Sequence, residues 1–401
     1  MVNNKQFLFW EYFFVISIIA LTGFEYFFRD KNLLFIILGP LSFYIFKKRK
    51  FKLTLLFFQF LIAILILSLF QCFYFSNDIS ISFIFTCRIL IYFFIASIIK
   101  EKFISVYINV MYYISLISLF LYTFTNIFSS FRDFLLIISK GIIPLAFSSE
   151  VISSNPNNTI FFYTISHELN YRNNGPFWEP GMFGVFLVIA FLFSIIKFGF
   201  KDLRTIVILF TGISTLSTTT LIALNIILFY YFYSTTLSYK KIFLLIIFPF
   251  LFFQLYKIDF IGDKIIDDVN NTNDVYTRTG ALVIHVKQII ESPWIGYGVN
   301  INEDQSKRIG YVQQVSPNGI TNLIRYFGIP MSIFLYVMLF YTSRNLLNSI
   351  TKKNISWFAF FIILLTSYSQ DITTRHFFYV IILMPLSNTE RLIKIKHIKN
   401  T

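Results

Sequence analysis

The sequence has few charged residues and almost no cysteine. Asp, Glu, Lys and Arg make up 13% of its 401 residues, whereas hydrophobic residues make up 56%. Ordinary soluble domains carry about 25% charged residues, so this composition excludes an ordinary soluble domain and indicates a polytopic membrane protein. The two cysteines, Cys72 and Cys87, form no CxxC pair, which excludes a disulfide framework and a cysteine zinc site. No fixed-period repeat or low-complexity linker is present, which predicts one membrane domain over residues 1–401.

The formal net charge of +14 does not point to nucleic acid. No basic groove motif with interleaved aromatic residues is present, and basic residues in short loops fit the positive-inside rule of membrane proteins. We therefore expect the lipid bilayer, and no nucleic acid, as a partner.

Apolar runs recur along the whole chain at lengths close to the ~20 residues that cross a membrane as helix. They lack the alternation of barrel strands, so the predicted fold is an all-α membrane protein with about twelve transmembrane helices. The predicted spans cover 7–27, 33–46, 53–75, 80–99, 103–128, 181–197, two segments within 205–233, 242–256, 319–342, 355–369 and 376–387.

The basic cluster KKRKFK, Lys47 to Lys52, sets the predicted orientation. Short loops rich in Lys and Arg stay in the cytoplasm, so both termini are expected inside and two long loops, 129–180 and 257–317, outside. The run from Phe7 to Phe27 is long enough to remain as the first span, and we expect no cleaved signal peptide.

The segment from Thr205 to Tyr233 is too long for a single span, since one helix would measure roughly 44 Å. Its polar stretch GISTLSTTT favours two short helices that meet part-way through the membrane near a wet cavity. The alternative is one tilted helix with Ser and Thr bonded to its own carbonyls.

The stretch YRNNGPFWEPGMFG places Arg172, Trp178 and Glu179 directly before an apolar run. Arg and Trp often anchor helix ends at a bilayer interface, which is the non-functional interpretation. A carboxylate at the membrane edge is costly unless it is paired or wet, so Glu179 is a candidate functional group.

The second long loop contains TRTGALVIHVKQIIESPWIGYG, which predicts an amphipathic helix over Tyr276–Glu291, ended by Pro293 and followed by a glycine-rich turn. Arg278 and His285 are seven residues apart and share one helical face. The alternative is an interfacial helix in which Arg278 snorkels to the membrane surface and His285 has no role.

Three blocks in this order resemble the O-antigen polymerase and O-antigen ligase superfamily of bacterial membrane glycosyltransferases. The first block reads R-x-x-G-x-F-x-E-P from Arg172, the second runs from Arg278 to Gly298 and ends P-x-x-G-x-G, and the third is SPNGITNLIRYFGIP, Ser316 to Pro330. The GISTLSTTT segment is similar too, although the family often has Ser-Arg there and this chain has no Arg. The order of the blocks and their places in the predicted topology extend the resemblance over roughly the last 230 residues.

The resemblance implies a GT-C-like architecture and transfer of a glycan from an undecaprenyl-diphosphate carrier to a sugar hydroxyl at the outer face of the cytoplasmic membrane. The implied reaction is inverting and needs neither metal nor cofactor, and no DxD-like or His-rich outer motif argues otherwise. Arg172 and Arg278 would stabilise the diphosphate leaving group, because guanidinium offers paired donors to phosphate oxygens. A flippase and a chain-length regulator would be partners. The candidate substrate-binding residues within the blocks are Trp178, Tyr297, Asn318 and Arg325.

Polymerases and ligases differ at the position before the Asn of the third block, where ligases carry His. Ser316 and Pro317 precede Asn318 here, which favours a polymerase and leaves the catalytic base open. Glu179 is the first candidate and His285 the second. The alternatives are an O-antigen ligase that transfers the glycan to a lipid or protein acceptor, or a transporter or flippase of lipid-linked glycan. Against a transporter stand the two long outer loops and the uneven halves of the chain.

Overall fold

The protein is helical in nearly all the residues that the structure describes. A computed structural model describes residues 4–28, 32–142, 158–165, 171–235, 278–299, 318–351 and 355–387. The predicted span 242–256 lies outside these residues, as do Ser316, Pro317 and much of both predicted outer loops.

Up to residue 142, the described residues form seven helices. They are α1 Asn4–Gly23, α2 Glu25–Phe28, α3 Asn32–Lys48, α4 Leu55–Phe75, α5 Ile79–Ile99, α6 Phe103–Ile127 and α7 Ser129–Ile142.

Beyond residue 142, the described ranges contain a small antiparallel hairpin and seven further helices. The hairpin pairs β1 Asn158–Thr159 with β2 Thr164–Ile165. The helices are α8 Pro180–Phe198, α9 Leu203–Ser214, α10 Thr218–Thr235, α11 Arg278–Glu291, α12 Gly319–Asn348, α13 Ser356–Ser369 and α14 His376–Leu383, which continues as a 3₁₀ turn, Met384–Ser387.

Five of these helices are long and apolar enough to cross a membrane, namely α4, α5, α6, α8 and α12. Shorter apolar helices occupy the positions of further predicted spans, including α9, α13 and α14. An all-α membrane protein is therefore confirmed.

The described residues divide into two compact units. The first comprises Met1–Leu34 and Phe103–Asp267, and the second comprises Phe35–Lys102 and Asp268–Thr401. The single membrane domain over residues 1–401 stays a prediction.

In the first unit, α8 packs against α6, α9 and α10, and α1 packs against α6. Most of α8 is buried, so it forms the centre of this unit. The Tyr107 hydroxyl donates to the carbonyl of Phe186 at 2.8 Å, which joins α6 to α8. Gly184 permits the close approach of α10, since a Cβ there would meet the Thr220 side chain.

In the second unit, α12 packs against α11, α13 and α14, while α5 packs against α4 and α14. The helix α12 is broken at Gly328, whose φ of 72° is left-handed, and Pro330 follows within the helix. A backbone in this conformation favours glycine, because a Cβ there is strained. The predicted span 319–342 therefore consists of two helical segments.

The prediction of two short helices within 205–233 is confirmed. Helix α9 ends at Ser214 and α10 begins at Thr218, with Leu216 in a left-handed conformation between them (φ 47°). The short second predicted span is extended by its flanking residues, as α3 continues to Lys48.

One predicted boundary is wrong. The first span does not continue to residue 27, because α1 ends at Gly23, where the Phe177 ring occupies the place of a Cβ. The backbone of Phe24 then bridges to Phe177. The first predicted outer loop, 129–180, also contains regular structure, namely α7 and the hairpin.

Candidate functional site

The first sequence block is held to the break between α9 and α10. The backbone N–H of Asn173 donates to the Ser214 carbonyl at 3.0 Å, and its side-chain Nδ2 donates to the Ser214 hydroxyl at 2.9 Å. Its Oδ1 accepts from the Ser118 hydroxyl at 2.6 Å and from the Gly175 N–H at 3.0 Å. Asn173 is fully buried, so its amide is satisfied by partners from three parts of the first unit.

Arg172 lies beside this junction and is only 7% exposed. Its Nε donates to the carbonyl of Thr215 at 3.0 Å. That carbonyl lies just beyond the end of α9, where the last carbonyls of a helix need partners from outside it. The break between the two helices therefore fixes the orientation of the guanidinium.

Arg172 also lines a polar pocket in the first unit. The end of α6 contributes Thr125 and Asn126, α7 contributes Arg132, and the hairpin contributes Tyr163, Thr164 and Ile165. Two arginines thus line one pocket, and among the described residues no carboxylate lines it. Such a pocket favours an anionic group.

Burial raises the pKa of Tyr163 to about 12, although the nearby Thr125 hydroxyl and Arg132 guanidinium each lower it. The Tyr163 hydroxyl lies 3.4 Å from Oγ1 of Thr125. Tyr163 therefore stays neutral at physiological pH and presents a hydroxyl, rather than a negative charge, to the pocket.

Trp178 and Glu179 lie half-buried at the start of α8. Glu179 occupies the N-cap position before Pro180, but its side chain makes no capping hydrogen bond. The backbone N–H of Trp178 donates to the Gly23 carbonyl at 3.3 Å. The Glu179 carboxylate therefore does not cap α8, which removes one structural explanation for it.

In the second unit, the second and third sequence blocks are joined through the backbone. The N–H of Tyr297 donates to the Arg325 carbonyl at 2.8 Å, and that of Gly298 donates to the Tyr326 carbonyl at 3.0 Å. Gly296 is required at this contact, because a Cβ there would lie 2.5 Å from the backbone nitrogen of Gly328. The predicted helix and glycine-rich turn are confirmed, and the turn packs on the kink of α12.

His285 is fully buried on α11, next to Gln288. Its Nδ1 lies 2.7 Å from the Thr321 hydroxyl. Burial and the nearby Arg325 guanidinium lower the pKa of His285 to about 3, so its imidazole is neutral at physiological pH. His285 therefore faces the protein interior, while Val286 and Ile290 of the same helix are exposed. The same low pKa makes His285 a weak proton acceptor.

The other candidates of the second unit have clear positions. Asn318 is buried and caps α12, accepting from the Thr321 N–H at 3.2 Å. Arg325 is 1% exposed, and its guanidinium lies 4.9 Å from the centre of the Tyr326 ring. The buried Tyr297 donates its hydroxyl to Glu291 at 2.6 Å.

The structure brings His285, Asn318 and Arg325 together, since the first two both contact Thr321 and the third acts on the imidazole. Arg278 is the first residue of α11, in the same unit. Arg172, Trp178 and Glu179 belong to the first unit, so the structure assigns the candidates to two separate sets.

Asp371 is among the buried polar groups of the second unit that sequence analysis missed. Asp371 accepts from Nδ2 of Asn322 at 2.9 Å and from the Thr374 hydroxyl at 2.5 Å. Its other oxygen, Oδ1, is buried and has no hydrogen-bond partner among the described residues. A sequence signal for Asp371 was present, because it lies in a polar stretch, Gln370 to Arg375, between two apolar runs. Sequence analysis also missed Arg132, which has no distinguishing motif around it.

Within the described ranges, no three His, Cys, Asp or Glu side chains gather in a way that could hold a metal ion. Comparison with known proteins yields no relative: no family model matches the sequence, and no curated protein or solved structure matches it.

Proposed function

We propose that this protein polymerises lipid-linked oligosaccharide units at the outer face of the cytoplasmic membrane. The donor is a glycan on undecaprenyl diphosphate, and the product is an O-antigen, capsular or exopolysaccharide chain. The proposal includes about twelve spans in a GT-C-like arrangement with both termini in the cytoplasm, as the basic short loops suggest.

The observation that carries the proposal is the placement of Arg172. Arg172 is nearly buried, its Nε donates to the Thr215 carbonyl, and it lines a polar pocket that Arg132 also lines. A preorganised guanidinium in a partly dry site stabilises a diphosphate better than the same group in water does. Such a group is what departure of a lipid diphosphate requires.

The proposed reaction is a displacement at the anomeric carbon of the donor. The acceptor hydroxyl oxygen forms the new glycosidic bond, the bond between the anomeric carbon and the diphosphate oxygen breaks with its electron pair, and the lipid diphosphate leaves. Arg172 and Arg278 stabilise the charge that develops on the leaving group. Glu179 accepts the hydroxyl proton.

Two features support Glu179 over His285 as that base. The Glu179 carboxylate is half-buried at the start of α8 and makes no capping hydrogen bond there. The His285 imidazole is buried, contacts Thr321 and has a strongly lowered pKa. A buried imidazole next to a guanidinium gains a proton only at high cost.

Deletion of the gene, followed by gel analysis of the surface glycan, tests the proposal. A polymerase mutant should display a glycan core that bears one repeat unit. An unmodified core with long polymer accumulated on the carrier would instead indicate a ligase. Carrier trapped on the cytoplasmic side would indicate a flippase.

A further inference from the structure

Helix α7 has an apolar face that is exposed among the residues that the structure describes. Leu135 is 5% exposed and packs on Tyr163 and Ile165 of the hairpin region. On another face, Phe134, Ile137 and Ile138 are 55%, 70% and 39% exposed. Their spacing of three and four residues places them on one side of the helix. The exposed side of α7 is thus mainly apolar, with the exposed Asp133 directly before Phe134.

A bilayer interface accounts for this exposed face. Helix α7 begins at Ser129, directly after the membrane-spanning α6 ends at Ile127, so it starts at the level of the membrane surface. Ile127 and Phe128 at this junction are also exposed, at 64% and 52%. A helix with apolar residues on such a face lies in the interface with that face among the acyl chains.

Arg132, near the start of α7, lies on the side toward the protein. Arg132 lines the pocket that Arg172 and Tyr163 also line. Two guanidinium groups on one pocket repel each other, and an anion between them offsets the repulsion. Tyr163 adds a neutral hydroxyl donor. A pocket of this kind beside an interfacial helix fits a phosphate that is attached to a lipid.

We propose that Arg132 is a second phosphate-binding residue, which with Arg172 holds the diphosphate of a lipid-linked substrate while the lipid chain lies along the exposed face of α7. The identity of the lipid rests on the proposed function, but binding through Arg132 requires no catalysis. Each guanidinium can donate two hydrogen bonds to a phosphate, which makes arginine suited to this role.

Binding of farnesyl diphosphate to the purified full-length protein tests this proposal. The protein is held in nanodiscs of zwitterionic phosphatidylcholine, and titration is followed for the wild type, Arg132→Gln and Arg132→Lys. The matched control is Arg344→Gln, because Arg344 is an exposed arginine of α12. Thermal unfolding of every variant establishes that it is folded, and Arg132→Lys keeps the charge if Arg132→Gln does not fold.

Arg132→Gln should weaken farnesyl diphosphate binding by about tenfold to a hundredfold, the usual range for losing hydrogen bonds to a charged group. Arg132→Lys should recover part of the affinity, and Arg344→Gln should bind like the wild type. Equal affinity of the wild type and Arg132→Gln would overturn the proposal, as would an equal loss in Arg344→Gln.

Two further arms identify the ligand. Inorganic diphosphate should bind more weakly than farnesyl diphosphate but with the same dependence on Arg132. Ile137→Ser should weaken farnesyl diphosphate binding and leave inorganic diphosphate binding unchanged, whereas no effect on either would overturn the role of α7. Displacement of farnesyl diphosphate by phosphatidylglycerol in the nanodisc would show a headgroup site and overturn the assignment to a diphosphate lipid.

This experiment separates the pocket from the proposed function. A protein that binds through Arg132 but makes no polymer would retain the pocket and lose the polymerase assignment. If Arg132→Gln makes polymer normally and binds farnesyl diphosphate as well as the wild type does, the polymerase assignment is retained and the role of the pocket is lost.

Discussion

Asn173 and Ser214 are joined by two hydrogen bonds, one from the Asn173 backbone N–H to the Ser214 carbonyl and one from Asn173 Nδ2 to the Ser214 hydroxyl. The contact links the loop before α8 to the end of α9, 41 residues along the chain. Arg172 is the neighbour of Asn173, so the orientation of its guanidinium depends on the same junction.

Replacing Asn173 with Ala should therefore destabilise the protein and impair function together. The variant leaves the Ser118 and Ser214 hydroxyls without their buried partner, at a cost of about 1–3 kcal/mol in the free energy of unfolding. Thermal unfolding in nanodiscs measures the effect. Ser234→Ala is the control, since this exposed hydroxyl only bonds back to its own helix and should change stability by less than about 0.5 kcal/mol. Equal effects of the two variants would contradict the importance of the junction.

Arg172→Ala and Arg278→Ala should each abolish polymer without preventing insertion into the membrane. Loss of one strong transition-state contact costs about 3–4 kcal/mol, or roughly 100- to 1,000-fold in turnover. Lysine at either position should rescue poorly, because a point charge lacks the paired donors of guanidinium. Surface glycan length at matched protein abundance is the measurement, with exposed Arg344→Ala as the control. Full-length glycan from either variant would make that arginine a structural anchor.

Glu179→Gln should bind the lipid-linked donor normally but turn over about 100-fold more slowly, the usual scale for losing a general base. The amide keeps the shape of the side chain and removes its basicity. Because the Glu179 side chain does not cap α8, little change in stability should accompany the loss. A purified assay with lipid-linked repeat units measures turnover. Near-normal activity of Glu179→Gln, together with an inactive His285→Ala, would assign the role to His285.

The buried His285 should make the protein less stable in acid. Its pKa falls from 6.5 to about 3 on folding, so between these values the unfolded chain binds more protons than the folded one. This contribution to stability is complete above about pH 6.5 and is lost as the pH falls toward 3. At pH 4.5 the loss is about 2–3 kcal/mol.

Thermal unfolding at pH 7 and pH 4.5 checks this expectation, with His285→Gln for comparison. The glutamine keeps a polar partner for Thr321 but cannot take up a proton in this range. The fall in stability between the two pH values should therefore be smaller in His285→Gln than in the wild type. An identical fall in both proteins would contradict the lowered pKa.

The sequence by itself determined the features that depend on composition and local pattern. A low charged fraction and long apolar runs require helices in a membrane, because backbone N–H and C=O groups must be hydrogen-bonded within the protein there. The polar stretch after Gly212 is too long and too polar to continue one span, so the break between α9 and α10 was predictable. Gly296 and Gly298 likewise marked a turn, since both adopt positive φ.

Tertiary structure alone decided which polar side chains are buried and what they contact. His285 looks like a residue of a surface helix in the sequence, but packing of α11 on α12 covers it completely. The pairing of Arg132 with Arg172 in one pocket also has no local signal, as the two lie on elements that the chain brings together only on folding. Burial and charge proximity depend on neighbours distant in sequence, whereas helix formation and membrane insertion depend on residues within a few turns.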